Sequence, residues 1–181
     1  MFLTWQQEKL LGLLRQCTFL RQSDAISFLR QCRLPEKLAQ KTMQQLIRMK
    51  KVIVLEDGVL CRPLLSSKAP EPQLLQALSI MIQIGGSKIV AVSVGEAPFT
   101  LVFAVEQSTV ACFAVLSVPD GSEQVQLSRL AQSKLPDCMV IFMLEHERQM
   151  GKISTALPHV FTVPSGEQHR FFEGGDAQLR R

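Results

Sequence analysis

Cationic side chains recur at helical spacing between Lys37 and Lys51. With about 100° of rotation per residue, Lys37, Lys41 and Arg48 share one side of a predicted helix. A cationic helix face neutralises polyanions such as nucleic-acid phosphates, and amide side chains on that face can bond base edges. These residue types therefore favour a nucleic-acid ligand. The apolar residues of the segment are predicted to face a core on the other side, and they are Leu38, Ala39, Met43, Leu46 and Ile47.

The basic segment lies in the part of the chain that carries the positive charge. Residues 1–68 contain 12 lysines and arginines against 5 acids, whereas residues 69–181 contain 8 against 11. The overall charge of +4 therefore conceals two opposite electrostatic characters. A local excess of positive charge favours acidic partners, so the first part is the candidate for binding a polyanion.

Three helices and a hairpin are predicted to position these cations. Leucine spacing predicts a first helix over residues 3–17, and a short second helix follows near residues 24–32. Pro35 suits the first turn of a third helix. The third helix leads into two short strands, residues 52–55 and 59–62, which flank the turn sequence Glu-Asp-Gly.

This order of elements resembles the winged helix-turn-helix family over residues 3–63. In that family the third helix enters the major groove and the hairpin, called the wing, reaches the adjacent backbone. The resemblance implies phosphate contacts from Lys37, Lys41 and Arg48, and base contacts, preferably to adenine, from Gln40 and Gln44. Further backbone contacts are implied for Lys50, Lys51 and Arg62.

The sequence of the wing favours a second use of the same fold. Its tip carries Glu56 and Asp57, whereas a wing that touches phosphates would carry arginine or lysine. A winged helix with an acidic tip can instead serve as a docking module for another protein. The chain is then a subunit that interacts with proteins, and this alternative stays open.

The remainder of the chain predicts an α/β arrangement of order αβββαβ(α)β, so the expected fold class is α+β. The predicted helices cover residues 73–84, 121–134 and about 145–152. The predicted strands cover residues 88–94, 100–106, 109–118, 138–144 and about 159–163, and the second and third form an antiparallel hairpin. Apolar spacing predicts that Val125, Leu127, Leu130 and Ala131 face the core from the helix 121–134.

A change of charge sign and two prolines predict the domain boundaries. The winged-helix domain is predicted at residues 1–65, a linker at 66–72 and the α/β domain at 73–172. Residues 173–181 are predicted to be a flexible tail.

The order of the second domain resembles the restriction-endonuclease-like core over residues 71–163. Active members hold a metal with an acid on the second strand and a Glu-x-Lys or Asp-x-Lys on the third. The matching positions here are Pro98-Phe99-Thr100 and Val110 to Ala114, so the resemblance implies a catalytically degenerate domain. Glu71, Glu96 and Glu106 are the local carboxylates that a nuclease with a displaced active site could use, which is a third hypothesis.

Other side chains suggest no cofactor. The five cysteines lack the close spacing of a zinc site or disulfide framework, so free, buried thiols in a reducing compartment are expected. His146, His159 and His169 are not predicted to bind a metal. No membrane anchor is evident, and the cytoplasm is the expected location.

These observations predict a non-enzymatic protein that binds double-stranded DNA. The architecture resembles regulatory proteins of bacterial plasmids and mobile elements. Its C-terminal domain is expected to form a homodimer or to bind a partner protein.

Overall fold

The computed structural model describes residues 3–55, 57–63, 70–134, 137–166 and 168–174. The chain is a mixed α+β protein with two β-sheets, which confirms the predicted fold class at this level. It divides into two compact units, Met1–Val92 and Ser93–Arg181. No helix among the described residues is long and apolar enough to cross a membrane.

Helices form most of the described part of the first unit. They are α1 (Trp5–Cys17), α2 (Gln22–Gln31), α3 (Glu36–Arg48) and α4 (Pro72–Gly85). Three short antiparallel strands complete the unit, namely β1 (Phe19–Arg21), β2 (Ile53–Val54) and β3 (Val59–Cys61), in the order β1-β3-β2. Strand β1 was not predicted, because three residues are too few for a period of two and its pairing partner is distant in sequence.

Local hydrogen bonds set the helix boundaries. Thr4 and Gln7 form a capping box at the start of α1. After α2, Arg33 adopts the left-handed conformation (φ 66°), and the N–H of Leu34 donates to the carbonyl of Leu29. Pro35 then occupies the N-cap of α3. The turn between α2 and α3 is therefore fixed by backbone bonds and by the absence of an N–H in proline.

The hairpin β2-β3 follows α3 as the sequence predicted. The N–H of Leu55 donates to the carbonyl of Val59 at 2.8 Å, and Gly58 adopts φ 68°. Strand β3 is fully buried, whereas the edge strand β2 is partly exposed. Glu56, at the predicted wing tip, lies outside the described residues.

Helix α4 packs on α2 in the first unit. The Ser79 hydroxyl donates to Asp24 at 2.9 Å, and the Gln31 side chain donates to the carbonyl of Ile82 at 3.2 Å. The same Gln31 side chain fills the space where a Cβ on Gly86 would lie. The unit extends to Val92, whereas the sequence assigned this helix to the second domain. The charge change marks the residues before α4, but the uncharged surface of α4 needs burial. Residues 66–69 of the predicted linker lie outside the described part of the chain.

A six-stranded sheet has the order β4-β5-β6-β7-β8-β9. Its strands are β4 (Ile89–Val94), β5 (Leu101–Glu106), β6 (Val110–Val118), β7 (Met139–Leu144), β8 (His159–Ser165) and β9 (Gln168–Glu173). Strands β6, β7 and β8 are parallel, and the pairs β5-β6 and β8-β9 are antiparallel. Helix α5 (Glu123–Gln132) connects β6 to β7, and a 3-10 helix (Glu147–Lys152) follows β7.

The predicted order αβββαβ(α)β is confirmed, with one strand added at its end. Strand β9 was not predicted, because residues 168–173 are largely polar and gain their strand form by pairing with β8. The predicted tail overlaps this strand at Glu173, and residues 175–181 lie outside the described part. On α5, Leu130 is buried and Leu127 partly buried, but the predictions for Val125 and Ala131 were wrong because both are exposed.

The cysteines differ from the prediction in one respect. Cys112 on β6 and Cys138 before β7 form a disulfide, whereas all five thiols were expected to be free. Both precede the paired residues Phe113 and Met139 by one position, so the parallel register places them side by side. Their separation of 26 residues gives no sequence signal for this contact. The remaining cysteines are free and buried, namely Cys17, Cys32 and Cys61.

Candidate nucleic-acid interface

The outward face of α3 carries the predicted cations. Lys37, Lys41 and Arg48 are all exposed, as are Gln40 and Gln44. The opposite side of the helix is buried through Ala39, Met43 and Leu46. The structure thus brings these five predicted residues onto one solvent-facing surface, here called the α3 face.

The cations of the α3 face have no carboxylate partner in the part of the chain that the structure describes. Among the described residues, no carboxylate lies within 4 Å of the Lys37, Lys41 or Arg48 side chains, and the ion pair nearest to this face in sequence joins Arg30 to Glu36 at 3.8 Å. Glu36 is the one acid of α3, and it lies in the first turn, where it complements the helix dipole. The field of the α3 face is therefore directed to solvent.

Lys50 and Lys51 lie where α3 ends. Lys50 adopts φ 54°, its N–H donates to the carbonyl of Ile47, and the N–H of Lys51 donates to that of Leu46. This pattern is a Schellman motif that satisfies the last carbonyls of the helix. Both side chains are exposed, and their positive charge also stabilises the negative end of the helix dipole.

The β2-β3 hairpin contributes one cation and one acid to the described surface. Arg62, directly after β3, is half-buried, and Asp57 is exposed at the turn. A half-buried arginine retains a guanidinium that can reach a phosphate, whereas the exposed aspartate repels one. The hairpin is therefore electrostatically mixed, in contrast to the α3 face.

Two residues of α3 differ from the sequence analysis. Leu38, predicted in the core, is 48% exposed, because its position is about 100° from the centre of the buried stripe around Leu46. Gln45, not predicted as a site residue, accepts a hydrogen bond at 3.1 Å from the amide of Gln7 on α1. Dividing the helix surface into buried, flanking and exposed arcs would have predicted that Leu38 is partly exposed.

Among the described residues, no cluster of catalytic acids lies at the positions of the nuclease resemblance. All three local glutamates are exposed: Glu71 lies before α4, Glu96 in the loop after β4, and Glu106 at the end of β5. Within the described ranges, no group of three or more His, Cys, Asp or Glu residues is placed to hold a metal ion. His146 accepts a backbone hydrogen bond as the N-cap of the 3-10 helix, which gives it a structural contact.

A dense polar cluster lies instead after the carboxyl ends of β6 and β7, where α/β folds often bind ligands. Lys152 contacts Asp120 at 3.3 Å and Glu123 at 3.1 Å, and Arg148 contacts Asp120 at 2.5 Å. Gln149 is fully buried and donates to Glu123 and to the carbonyl of Val118. Its amide oxygen accepts two backbone N–H bonds, so both ends of the side chain are satisfied.

Ion pairing and hydrogen bonding shift the titration of this polar cluster. The hydrogen bonds from Arg148 and Lys152 lower the pKa of Asp120. The backbone N–H of Glu123 and the Lys152 ammonium lower the pKa of Glu123. The two carboxylates raise the pKa of Lys152 in return. These charges therefore stabilise one another.

Comparison with models of protein families, with curated proteins and with solved structures found no match.

Proposed function

We propose that this chain is a non-enzymatic protein that binds double-stranded DNA, with α3 as the helix that enters the major groove. The observation that carries the proposal is the α3 face, where Lys37, Lys41 and Arg48 are exposed and lack carboxylate partners in the described part of the chain. Cations without an internal partner keep their attraction for an external polyanion. Gln40 and Gln44 would add hydrogen bonds to adenine.

The surrounding elements support a winged-helix arrangement. Three helices precede the β2-β3 hairpin, and a short turn joins α2 to α3. In that arrangement Lys50, Lys51 and Arg62 would contact the DNA backbone. The strand order β4-β5-β6-β7 supports the restriction-endonuclease-like resemblance. We assign the second unit to binding a second copy or a partner protein. A regulatory role on a bacterial plasmid or mobile element would fit such a protein.

The test is binding of the full chain to a fluorescent random-sequence duplex across a salt series. If about five phosphates are neutralised, log K should fall with log [salt] with a slope of about −4.5. The charge reversals Lys41→Glu and Arg48→Glu, combined in one variant, should lower affinity at least about 100-fold and leave the thermal midpoint unchanged.

A matched control separates the α3 face from net charge. Arg15→Glu combined with Arg129→Glu changes the net charge equally, at exposed positions on α1 and α5. This control should lose much less affinity. Equal losses in the two variants, or binding that does not depend on salt, would contradict the proposal.

One observation favours a second candidate function, which is docking to another protein. Asp57 is exposed at the tip of the wing, and its charge suits a basic protein surface better than a phosphate backbone. Under this candidate, duplex binding is negligible at low salt and a partner protein recovered by pull-down is lost with Asp57→Lys.

A further inference from the structure

Leu38 is an exposed apolar side chain at the border of the cationic α3 face. It is 48% exposed, although burial of a leucine side chain is favourable. It lies in the first turns of α3, between Lys37 and Lys41. Leu38 and Lys41 are three positions apart, so their side chains are neighbours on the helix surface.

The position of Leu38 limits what it could contact on DNA. Residues near the N-terminus of a recognition helix are those that reach base edges. In the major groove, the methyl group at C5 of thymine is the apolar feature that distinguishes base pairs. A leucine cannot donate or accept a hydrogen bond, so a methyl group is the base feature that it can recognise.

We infer that α3 reads a site rich in A·T pairs, in which Leu38 packs against the methyl group of a thymine. The inference rests on the proposed function and adds a specificity-determining residue to it. Gln40 and Gln44 on the same surface suit the adenines of such a site, because a glutamine amide matches the N6 and N7 edge. Leu38 would thus suit a thymine of the site, and the two glutamines would suit adenines at other A·T pairs.

The experiment changes the DNA by single methyl groups. A preferred duplex is first selected from a random library with the full-length chain. Each thymine of that duplex is then replaced in turn by deoxyuridine, which lacks only the C5 methyl group. Affinities are measured by fluorescence anisotropy for the unaltered chain and for Leu38→Ala, with Val125→Ala as the control at another exposed apolar residue.

One replacement should weaken binding of the unaltered chain about fourfold, as expected for one buried methyl group. Leu38→Ala should bind the thymine duplex more weakly by a similar factor and should not respond to that replacement. Val125→Ala should behave like the unaltered chain.

Two results would overturn the inference, and they are distinguishable. In the first, binding is salt-dependent and requires Lys41 and Arg48, but each deoxyuridine replacement changes the affinity of Leu38→Ala and of the unaltered chain by the same factor. The role of Leu38 is then wrong, and DNA binding stands. If the chain binds no duplex, both the inference and the proposed function are wrong. The deoxyuridine arm leaves the protein unchanged, so a folding defect in a variant cannot imitate its result.

Discussion

The α3 face and the polar cluster after β6 and β7 use similar residues in opposite ways. On α3, Lys41 and Arg48 face solvent without carboxylate partners among the described residues. In the second unit, Lys152 contacts two carboxylates and Arg148 contacts one. A cation that already has a partner contributes little field to a ligand, whereas an unpaired cation contributes its full charge. The availability of charge, more than its amount, therefore marks the candidate interface.

The comparison predicts a large effect on stability in the polar cluster and none on α3. Lys152→Met removes the cation that neutralises Glu123, a buried carboxylate. We expect the thermal midpoint of the second unit to fall by several degrees, because a buried charge loses its partner. Lys41→Met is the matched control and should leave the midpoint unchanged. Circular dichroism during heating measures both midpoints. Equal midpoints for the two variants would contradict the prediction that the paired cation stabilises the fold and the unpaired one does not.

The two variants should exchange roles in duplex binding. Lys41→Met should weaken binding, whereas Lys152→Met should leave it unchanged at temperatures where the chain is folded. A loss of affinity in Lys152→Met would place DNA on the second unit.

The polar cluster also predicts a dependence of stability on pH. The folded-state pKa values of Asp120 and Glu123 lie below their ordinary values of 3.8 and 4.5. Their contribution is therefore complete above the ordinary values and is lost as pH falls through the folded-state values. Urea unfolding of the full chain between pH 7 and pH 3 should show stability decreasing below about pH 4.5. This decrease should be shallower in Lys152→Met. If the free energy of unfolding falls equally with pH in the unaltered chain and in Lys152→Met, other carboxylates cause the decrease.

A smaller effect tests the helix that supports α3 in the first unit. Gly12 lies within α1, and a Cβ there would meet no atom within 4 Å. Gly12→Ala should raise the free energy of unfolding by about 1 kcal/mol, because alanine restricts the unfolded chain and favours helix. Gly86→Ala is the contrasting control and should destabilise, because Gly86 adopts φ 48° and a Cβ there would displace the Gln31 side chain from its hydrogen bond to Ile82. Urea unfolding of both variants provides the measurement, and a destabilised Gly12→Ala would contradict the open space at this position.

The smallest expected change concerns the thiols of the two units. Burial raises the pKa of Cys17 to about 12 and also raises the pKa of Cys32 and Cys61. The folded chain should therefore react very slowly with thiol reagents at neutral pH. After unfolding without reductant three thiols should react, and after reduction five. Five reactive thiols before reduction would show that Cys112 and Cys138 are not bonded.

The helices and the central strands were predictable because their signals are local. The amphipathic spacing of α3 and the continuous apolar run of β7 each determine an element within one segment. Strands β1 and β9 were missed because each depends on a partner strand for its form. The disulfide was missed for the same reason, since only the parallel register brings Cys112 beside Cys138.

Predicting the candidate site required less tertiary information. The exposure of Lys37, Lys41 and Arg48 follows from the opposite position of Ala39, Met43 and Leu46 on a helix. Leu38 was misplaced because its exposure depends on which neighbours cover the flank of the helix. The ion pairs of Asp120 and Glu123 with Lys152 join the segment after β6 to the 3-10 helix after β7. No spacing of residues in the sequence indicates such contacts.

The sheet order has a consequence for the sequence of events in folding. Glu106 pairs with Val110 across a short turn, and Ser165 pairs with Gln168 in the same manner. Met139, by contrast, must reach Phe113 across the whole of α5. Closing the longer loop costs more chain entropy before any contact repays it. We therefore expect the two outer hairpins to form early and the insertion of β7 between them to limit the rate at which the second unit folds.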